Sequence, residues 1–362
     1  MENTIAVVSD PLFVEHHAPD PAGHPPGHPP SHLAGHPERP ERLDAARRGL
    51  FSALRPERVS VLSPRDATND ELGRVHEPRY VEELSRIAGR RGYLDADTYY
   101  APASYAAALR AAGGSVAMVD ALLAGQTTYG VALVRPPGHH ARPGTAMGFC
   151  LLNNVAVAAA HARANGCERV AIVDWDVHHG NGTQEMFYSD PSVLYLSVHQ
   201  WPLYPGTGAR GEVGTGDGVG ATVNIPLSPG AGDAAYLAAM DRVVTPALAA
   251  FAPDLLLVSA GYDAHERDPL AAMRLTSAGY GEMTRRLLAA MPGGFAGRVG
   301  IVLEGGYDLT ALRDSLDATI AALEATAPLD ETPPPAFLDA RHDAELRLAE
   351  EARMLARAAN GA

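Results

Sequence analysis

The sequence predicts an α/β domain built on a mainly parallel sheet with helices on both faces. Three observations carry that expectation: short apolar runs that do not alternate with polar residues, longer Ala- and Leu-rich stretches at helical spacing between them, and no internal repeat or composition break across residues 1–325. The runs are Ile5–Val8, Val131–Val134, Val170–Val173, Val193–Val198, Leu255–Val258 and Ile301–Leu303, each stopping at small or polar residues. A strand covered on both faces has no solvent side, so it need not alternate. The helical stretches between them are Ser104–Leu123, Asn153–Ala164, Asp233–Ala250 and Ser277–Met291. One domain is expected over residues 1–325. Residues 326–362 then hold a linker around Pro333-Pro334-Pro335 and an amphipathic helix in which Leu348, Ala352 and Leu355 recur at i, i+4 and i+7. That helix is expected to pack on the domain surface, with assembly into a homo-oligomer as the alternative.

Residues 16–40 break the pattern with eight Pro, six His and three Gly, ending in His36-Pro37-Glu38-Arg39-Pro40-Glu41-Arg42. Such a stretch cannot be a helix or a central strand. A metal-binding tract is one reading. A Pro-stiffened surface loop beside the mouth of an active site is the preferred one.

Composition narrows the function. Hydrophobic residues make up 46% of the 362 and charged residues 20%, enough to bury a substantial core, which excludes a disordered or fibrous chain. No apolar run reaches the ~18 residues of a membrane span, and Met1–Thr4 offers no basic start for a signal peptide. Two cysteines, Cys150 and Cys167, suit a reducing compartment, so a cytoplasmic location is expected. A net charge of −14 argues against nucleic acid and favours a neutral or cationic small molecule or a basic peptide.

The chemistry sits where the apolar runs end. Val131–Val134 leads into Arg135-Pro136-Pro137-Gly138-His139-His140, and Val170–Val173 into Asp174-Trp175-Asp176-Val177-His178-His179-Gly180-Asn181. Leu255–Val258 leads into Ser259-Ala260-Gly261-Tyr262-Asp263, and Ile301–Leu303 into Glu304-Gly305-Gly306-Tyr307. In a parallel sheet all carboxyl ends lie on one edge, and ligands bind there. Asp174, Asp176 and His178 are spaced by two, so on an extended segment they face one point. With Asp263 from another strand, Asp176 and His178 supply a mononuclear oxygen–imidazole site of the kind that suits Zn²⁺ or Fe²⁺, with a position left open for water. Asp174 is placed one layer back, orienting a histidine or holding a second cation. The blander alternative, that the aspartates cap a helix, leaves His178 and the second Asp-bearing strand unexplained.

Adjacent His139 and His140 supply an acid and a base for water attack, with Asp174 and Asn181 as partners that fix their tautomers. Tyr307, after two glycines, can reach a developing oxyanion. Other motifs fail: Gly206-Thr207-Gly208-Ala209-Arg210-Gly211 fits a dinucleotide pattern, but no helix follows. There is no nucleophile elbow, Walker A or H-E-x-x-H, and Cys150 lacks the paired spacing of a redox site.

Arg135 through Ala141, Gly148-Phe149-Cys150 with Asn153-Asn154, Asp174 through Gly182, Gly261-Tyr262-Asp263, Asp268-Pro269-Leu270 and Glu304 through Tyr307 together resemble the histone deacetylase superfamily over about residues 5–325. The two prolines before the histidine pair, and Asn181 in place of Asp, are similar to class II enzymes and the related bacterial amidohydrolases. The resemblance implies the single-domain arginase/deacetylase fold and Zn²⁺-dependent cleavage of acyl amides of lysine or polyamines. It implies Asp176, His178 and Asp263 as ligands of one Zn²⁺, His140 with Asn181 as general base and acid, and His139 with Asp174 as electrostatic support. Tyr307 becomes the oxyanion donor. Gly148, Phe149 and Tyr204 would wall the acyl-lysine channel, Leu270 would sit at its rim, and Asp97 would grip substrate amides. A structural K⁺ would fall on Asp174, Ser197, Val198 and the carbonyls of Asp176 and His178. Acetylpolyamine hydrolysis is the nearest alternative, although Leu270 stands where a polyamine enzyme could place an acidic gatekeeper. A dimanganese ureohydrolase needs more carboxylates, and a non-catalytic acyl-lysine reader should have lost one of these groups. The long His/Pro stretch departs from the family and bears on substrate size and assembly, not on chemistry.

Overall fold

The apolar runs pair into one eight-stranded sheet in the computed structural model, which describes residues 4–18, 35–325 and 338–359. The middle of the His/Pro stretch, residues 19–34, and the expected linker around Pro333–Pro335 lie outside the described residues. The strands are β1 (Ile5–Val8), β2 (Val59–Leu62), β5 (Tyr129–Ala132), β6 (Val170–Asp174), β7 (Val193–Gln200), β8 (Thr222–Leu227), β9 (Leu255–Ala260) and β10 (Val299–Leu303). A separate small hairpin joins β3 (Gly92–Tyr93) and β4 (Tyr99–Tyr100). All pairs in the large sheet are parallel, in the order β2-β1-β5-β10-β9-β6-β7-β8. Every residue of β5 through β10 is buried. Successive side chains point to opposite faces, so both faces are covered.

The helices are α1 (Glu41–Ala53), α2 (Asn69–Leu72), α3 (Pro78–Ser85), α4 (Ser104–Leu123), α5 (Asn154–Ala164), α6 (Asn181–Phe187), α7 (Asp233–Ala239), α8 (Thr245–Phe251), α9 (Ser277–Ala290), α10 (Leu309–Glu324) and α11 (Ala340–Ala359). Local chemistry sets several starts: the Asn153 side chain accepts from Ala156 N–H at 3.0 Å to begin α5, and Asp308 accepts from Thr310 and Ala311 to begin α10. The helices pack in two groups, α4 with α5, and α1 with α10, α9 and α8.

Four differences from the sequence expectation have physical causes. The expected strand Val131–Val134 runs from Tyr129 to Ala132, because Leu133 and Val134 already belong to the loop carrying the histidine pair. Strands β2 and β8 were not expected. Both are edges, and β8 contains Pro226, which an edge tolerates because its missing N–H needs no partner. The single helix expected over 233–250 is two helices joined by a wide π-type turn at Met240–Val244, just before Pro246, which has no N–H for the regular ladder. The C-terminal helix forms, but on another face. Leu346, Ala349 and Ala356 are buried, while Leu348 and Leu355 are exposed at 43% and 71%. Finally, α4 and residues 233–251 are long and apolar enough by composition to span a membrane, but here they pack within the fold, α4 against α5 and the sheet.

Candidate active site

Strand order builds the site. β5, β10, β9 and β6 are consecutive neighbours, and these four strands feed the loops carrying His139–His140, Tyr307, Asp263 and Asp174–His178. Asp174 ends β6 in register with Ser197 on one side and Ser259 on the other.

Asp176, His178 and Asp263 are buried, and one ligand atom from each lies within 4.8 Å of the others. His178 Nδ1 is 3.1 Å from both Asp176 Oδ1 and Asp263 Oδ2. Backbone donors hold the carboxylates: Gly305 N–H to Asp176 Oδ2 at 2.8 Å, and Val177 N–H to Asp263 Oδ1 at 2.9 Å. Gly305 is required for this approach, since a Cβ there would lie 2.2 Å from Asp263 Oδ2. Burial opposes protonation of His178, but hydrogen bonds and charge from the two aspartates outweigh it and raise its pKa to about 10. Two carboxylates and an imidazole, drawn in around one point, are a donor set for one divalent cation of the zinc type.

The histidine pair sits beside it. His139 Nδ1 meets Asp174 Oδ2 at 3.1 Å, and Tyr195 OH donates to the same oxygen at 3.0 Å. His140 Nδ1 meets Asn181 Oδ1 at 2.8 Å. The rings are 4.0 Å apart between centroids. Their environments differ. Burial disfavours a charged His139, yet Asp176 and Asp174 raise its pKa to about 10. His140 is held well below the ordinary histidine range by burial and by the charges of His139 and His178. Two adjacent imidazoles driven in opposite directions form a cation and a base.

Around these groups the expected channel residues fall as follows. Gly148 and Phe149 both adopt left-handed backbone, φ 56° and 68°. A Cβ on Gly148 would lie 2.5 Å from the His140 ring, so only glycine fits beneath the base. The Phe149 ring meets Tyr307 edge-on at 5.9 Å, and Tyr204 meets His140 edge-on at 5.1 Å and His178 at 6.4 Å. Leu270 is half-buried, and its N–H donates to Asp268, the carboxylate that also accepts from Tyr307 N–H at 2.7 Å. Asp97 is half-buried and adjoins Thr98, whose Oγ1 accepts from Phe149 N–H at 3.2 Å. Both ends of the His/Pro stretch reach this region: His36 stacks edge-on against Phe149 at 4.6 Å, and His16 stacks on Tyr99 at 4.5 Å. The described part therefore lies by the channel, with His36 engaging the Asp97 carbonyl at 2.9 Å.

Sequence reasoning missed the groups that hold this machinery in place. Glu304 Oε2 accepts N–H from Gly138 at 2.6 Å and His139 at 3.1 Å, fixing the histidine turn. Burial, with the charges of Asp174 and Asp176, raises Glu304 to about 7. Glu38 is fully buried between Arg42 and Arg135, at 3.0 and 2.5 Å. Arg42 in turn donates to the carbonyls of Gly306 and Glu304, and its guanidinium lies 4.9 Å from the Tyr307 ring centroid. The alternating charges of Glu38-Arg39-Pro40-Glu41-Arg42, immediately after the His/Pro stretch, were the available signal.

Residues 36–323 match the family model described as the histone deacetylase domain. A probable deacetylase of Archaeoglobus fulgidus is 44% identical over 279 residues, covering 76% of this chain and 77% of that protein. The human protein named polyamine deacetylase HDAC10 is 44% identical over 79% of this chain. The chain spans between 44% and 64% of the length of the human and plant relatives it matches. Among solved structures, the crystal structure of the HDA15 HD domain is similar with a TM-score of 0.87 at 37% identity, covering 100% of this chain and 97% of that one.

Proposed function

Because the chain belongs to the histone deacetylase family, we propose that it is a zinc-dependent amidohydrolase acting on acetyl-lysine-type amides. The observation that carries this reading is the convergence of Asp176, His178 and Asp263 beside two imidazoles of opposite charge preference. The donor set fits the metal: one nitrogen, two carboxylates, no thiolate and three protein ligands, the open arrangement of catalytic sites. When bound there, Zn²⁺ supplies Lewis-acid polarisation of the acyl carbonyl and lowers the pKa of water.

The chain's own groups do the rest. Neutral His140, with its other ring nitrogen against Asn181, accepts the proton of the attacking water and returns it to the departing amine. His139, cationic and held by Asp174, places positive charge next to the reaction without giving it up. The Tyr307 hydroxyl donates to the oxyanion that forms on the acyl carbon's oxygen. Phe149 and Tyr204 flank the acyl-lysine stem, and Leu270 lies at the rim. A structural K⁺ suits the layer behind: the carbonyls of Asp176 and His178 accept no hydrogen bond among the described residues, beside the Asp174 carboxylate and Ser197. Asp95 and Asp97, whose charges act on Tyr204, favour a cationic substrate and keep acetylpolyamines as the second reading.

The test is a panel of acyl amides on metal-quantified protein. The expected result is about one zinc per chain and amine release from an acetyl-lysine peptide at higher kcat/KM than from N-acetylputrescine. The reverse preference transfers the assignment to polyamines. Two metals per chain, or a zinc-loaded protein that releases no amine from any acyl amide, overturns it.

A further inference from the structure

A cavity of about 310 Å³ opens at the amino ends of β6–β8, away from the catalytic edge. Its walls are apolar at Leu194, Val223 and Phe251 and basic at Arg169, Arg353 and Arg357. Arg169 precedes β6 and Asp174 ends it, so about five residues of strand, roughly 16 Å, separate cavity and site.

The basic wall is electrostatically incomplete. Arg353 and Arg357 are one turn apart on α11, a spacing at which like charges repel. Nε and Nη1 of Arg353 are shielded from solvent and have no hydrogen-bond partner. Burial and the Arg357 charge pull the Arg353 pKa below its usual value, with Glu350 opposing. Glu350 is already spent, since its two oxygens accept from Arg242 at 2.8 and 2.7 Å. Arg169 Nε is used on the Ala252 carbonyl, and none of the three guanidinium groups forms an ion pair among the described residues. Shielded cationic donors left without an acceptor are costly. A guanidinium fork pairs bidentately with a planar carboxylate, and the apolar walls beside it suit an aliphatic tail on that carboxylate. The volume lies at the lower end of small-molecule sites.

We propose that this cavity is a second binding site, separate from the catalytic centre, for an organic carboxylate with an aliphatic tail. The carboxylate meets Arg353 and Arg357, and the tail lies against Leu194, Val223 and Phe251. Calorimetric titration of the full, metal-loaded chain with octanoate tests it. The expected result is saturable binding that weakens at least tenfold in Arg353→Gln and in Arg357→Gln, while kcat on an acetyl-lysine peptide stays unchanged. The neutral isostere 1-octanol and the cation octylamine should bind at least tenfold more weakly than octanoate. Carboxylate captured by the catalytic metal would be indifferent to the two arginines, so octanoate affinity within twofold of the parent in both variants overturns the proposal. Equal binding of 1-octanol does the same. Should either variant fail to fold, Ala250→Leu, which crowds the cavity from an exposed position and keeps the arginines, decides in its place: octanoate binding must fall by a similar factor.

Discussion

Tyr307 shows how much of one residue's behaviour is set by its neighbours. Its N–H is fixed by Asp268, its ring lies against Phe149 and under the Arg42 guanidinium, and burial raises its hydroxyl pKa well above 10. It therefore remains a protonated donor at any working pH. Tyr307→Phe removes one oxyanion donor without touching the three candidate metal ligands, and is expected to lower kcat by about 10²–10³ with metal content unchanged. An unaltered kcat would remove Tyr307 from the mechanism. His140 gives a pH expectation. A base works only when unprotonated, and burial and its cationic neighbours hold its pKa below 6.5. The competent form thus persists as pH falls, so the acid limb of kcat/KM should lie below pH 6.5, and kinetics that decline from pH 7 downward would contradict it.

At the scale of the element, α11 separates helix formation from helix placement. Leu348, Ala352 and Leu355 mark a helical period, and the helix forms. What chooses the buried face is the partner surface on β8 and the ion pairs from Arg242 to Asp343 and Glu350 at 2.7–2.8 Å. Those pairs sit on the side occupied by Leu346 and Ala349, leaving Leu348 and Leu355 outward. Leu346→Ala is accordingly expected to cost about 2–5 kcal/mol, and Leu355→Ala less than about 0.5 kcal/mol, in denaturant titrations. The opposite ranking would return the helix to the face its hydrophobic spacing suggests.

Across the whole molecule, a buried charge network ties distant segments to the catalytic edge. Glu38 receives Arg42 from α1, Arg135 from the loop after β5, and the Tyr99 hydroxyl from β4 at 2.7 Å. Arg135 also donates to the carbonyls of Phe13 and His16, so the first described segment is bound into the same network. Arg135 and His16 hold the Glu38 carboxyl well below the usual range against the opposing effect of burial. Breaking such a network strands buried charge. Glu38→Gln should destabilise the fold by about 3–5 kcal/mol and also lower kcat, because Arg42 anchors the Gly306 turn that carries Tyr307. A loss of stability with kcat intact in the folded fraction would uncouple the two.

The sequence by itself marked the candidate site residues and determined the class of fold. Asp176 and His178 share a two-residue spacing, His139 and His140 are adjacent, and four of the six non-alternating apolar runs stop at candidate site residues; these are local properties, fixed by backbone periodicity and readable without a partner. The helical stretch beginning at Asn153 was equally legible, since its Ala-rich spacing is local. Only the tertiary structure decided which strands are neighbours, and so brought Asp263 and Tyr307, remote in the chain, to the His178 edge. It also decided that Glu304, Arg42 and Glu38 brace the site, that β2 and β8 form the sheet's edges, and which side of α11 is buried. Each of those outcomes depends on contacts between segments tens to hundreds of residues apart, where burial and charge compensation, not local propensity, set the free energy.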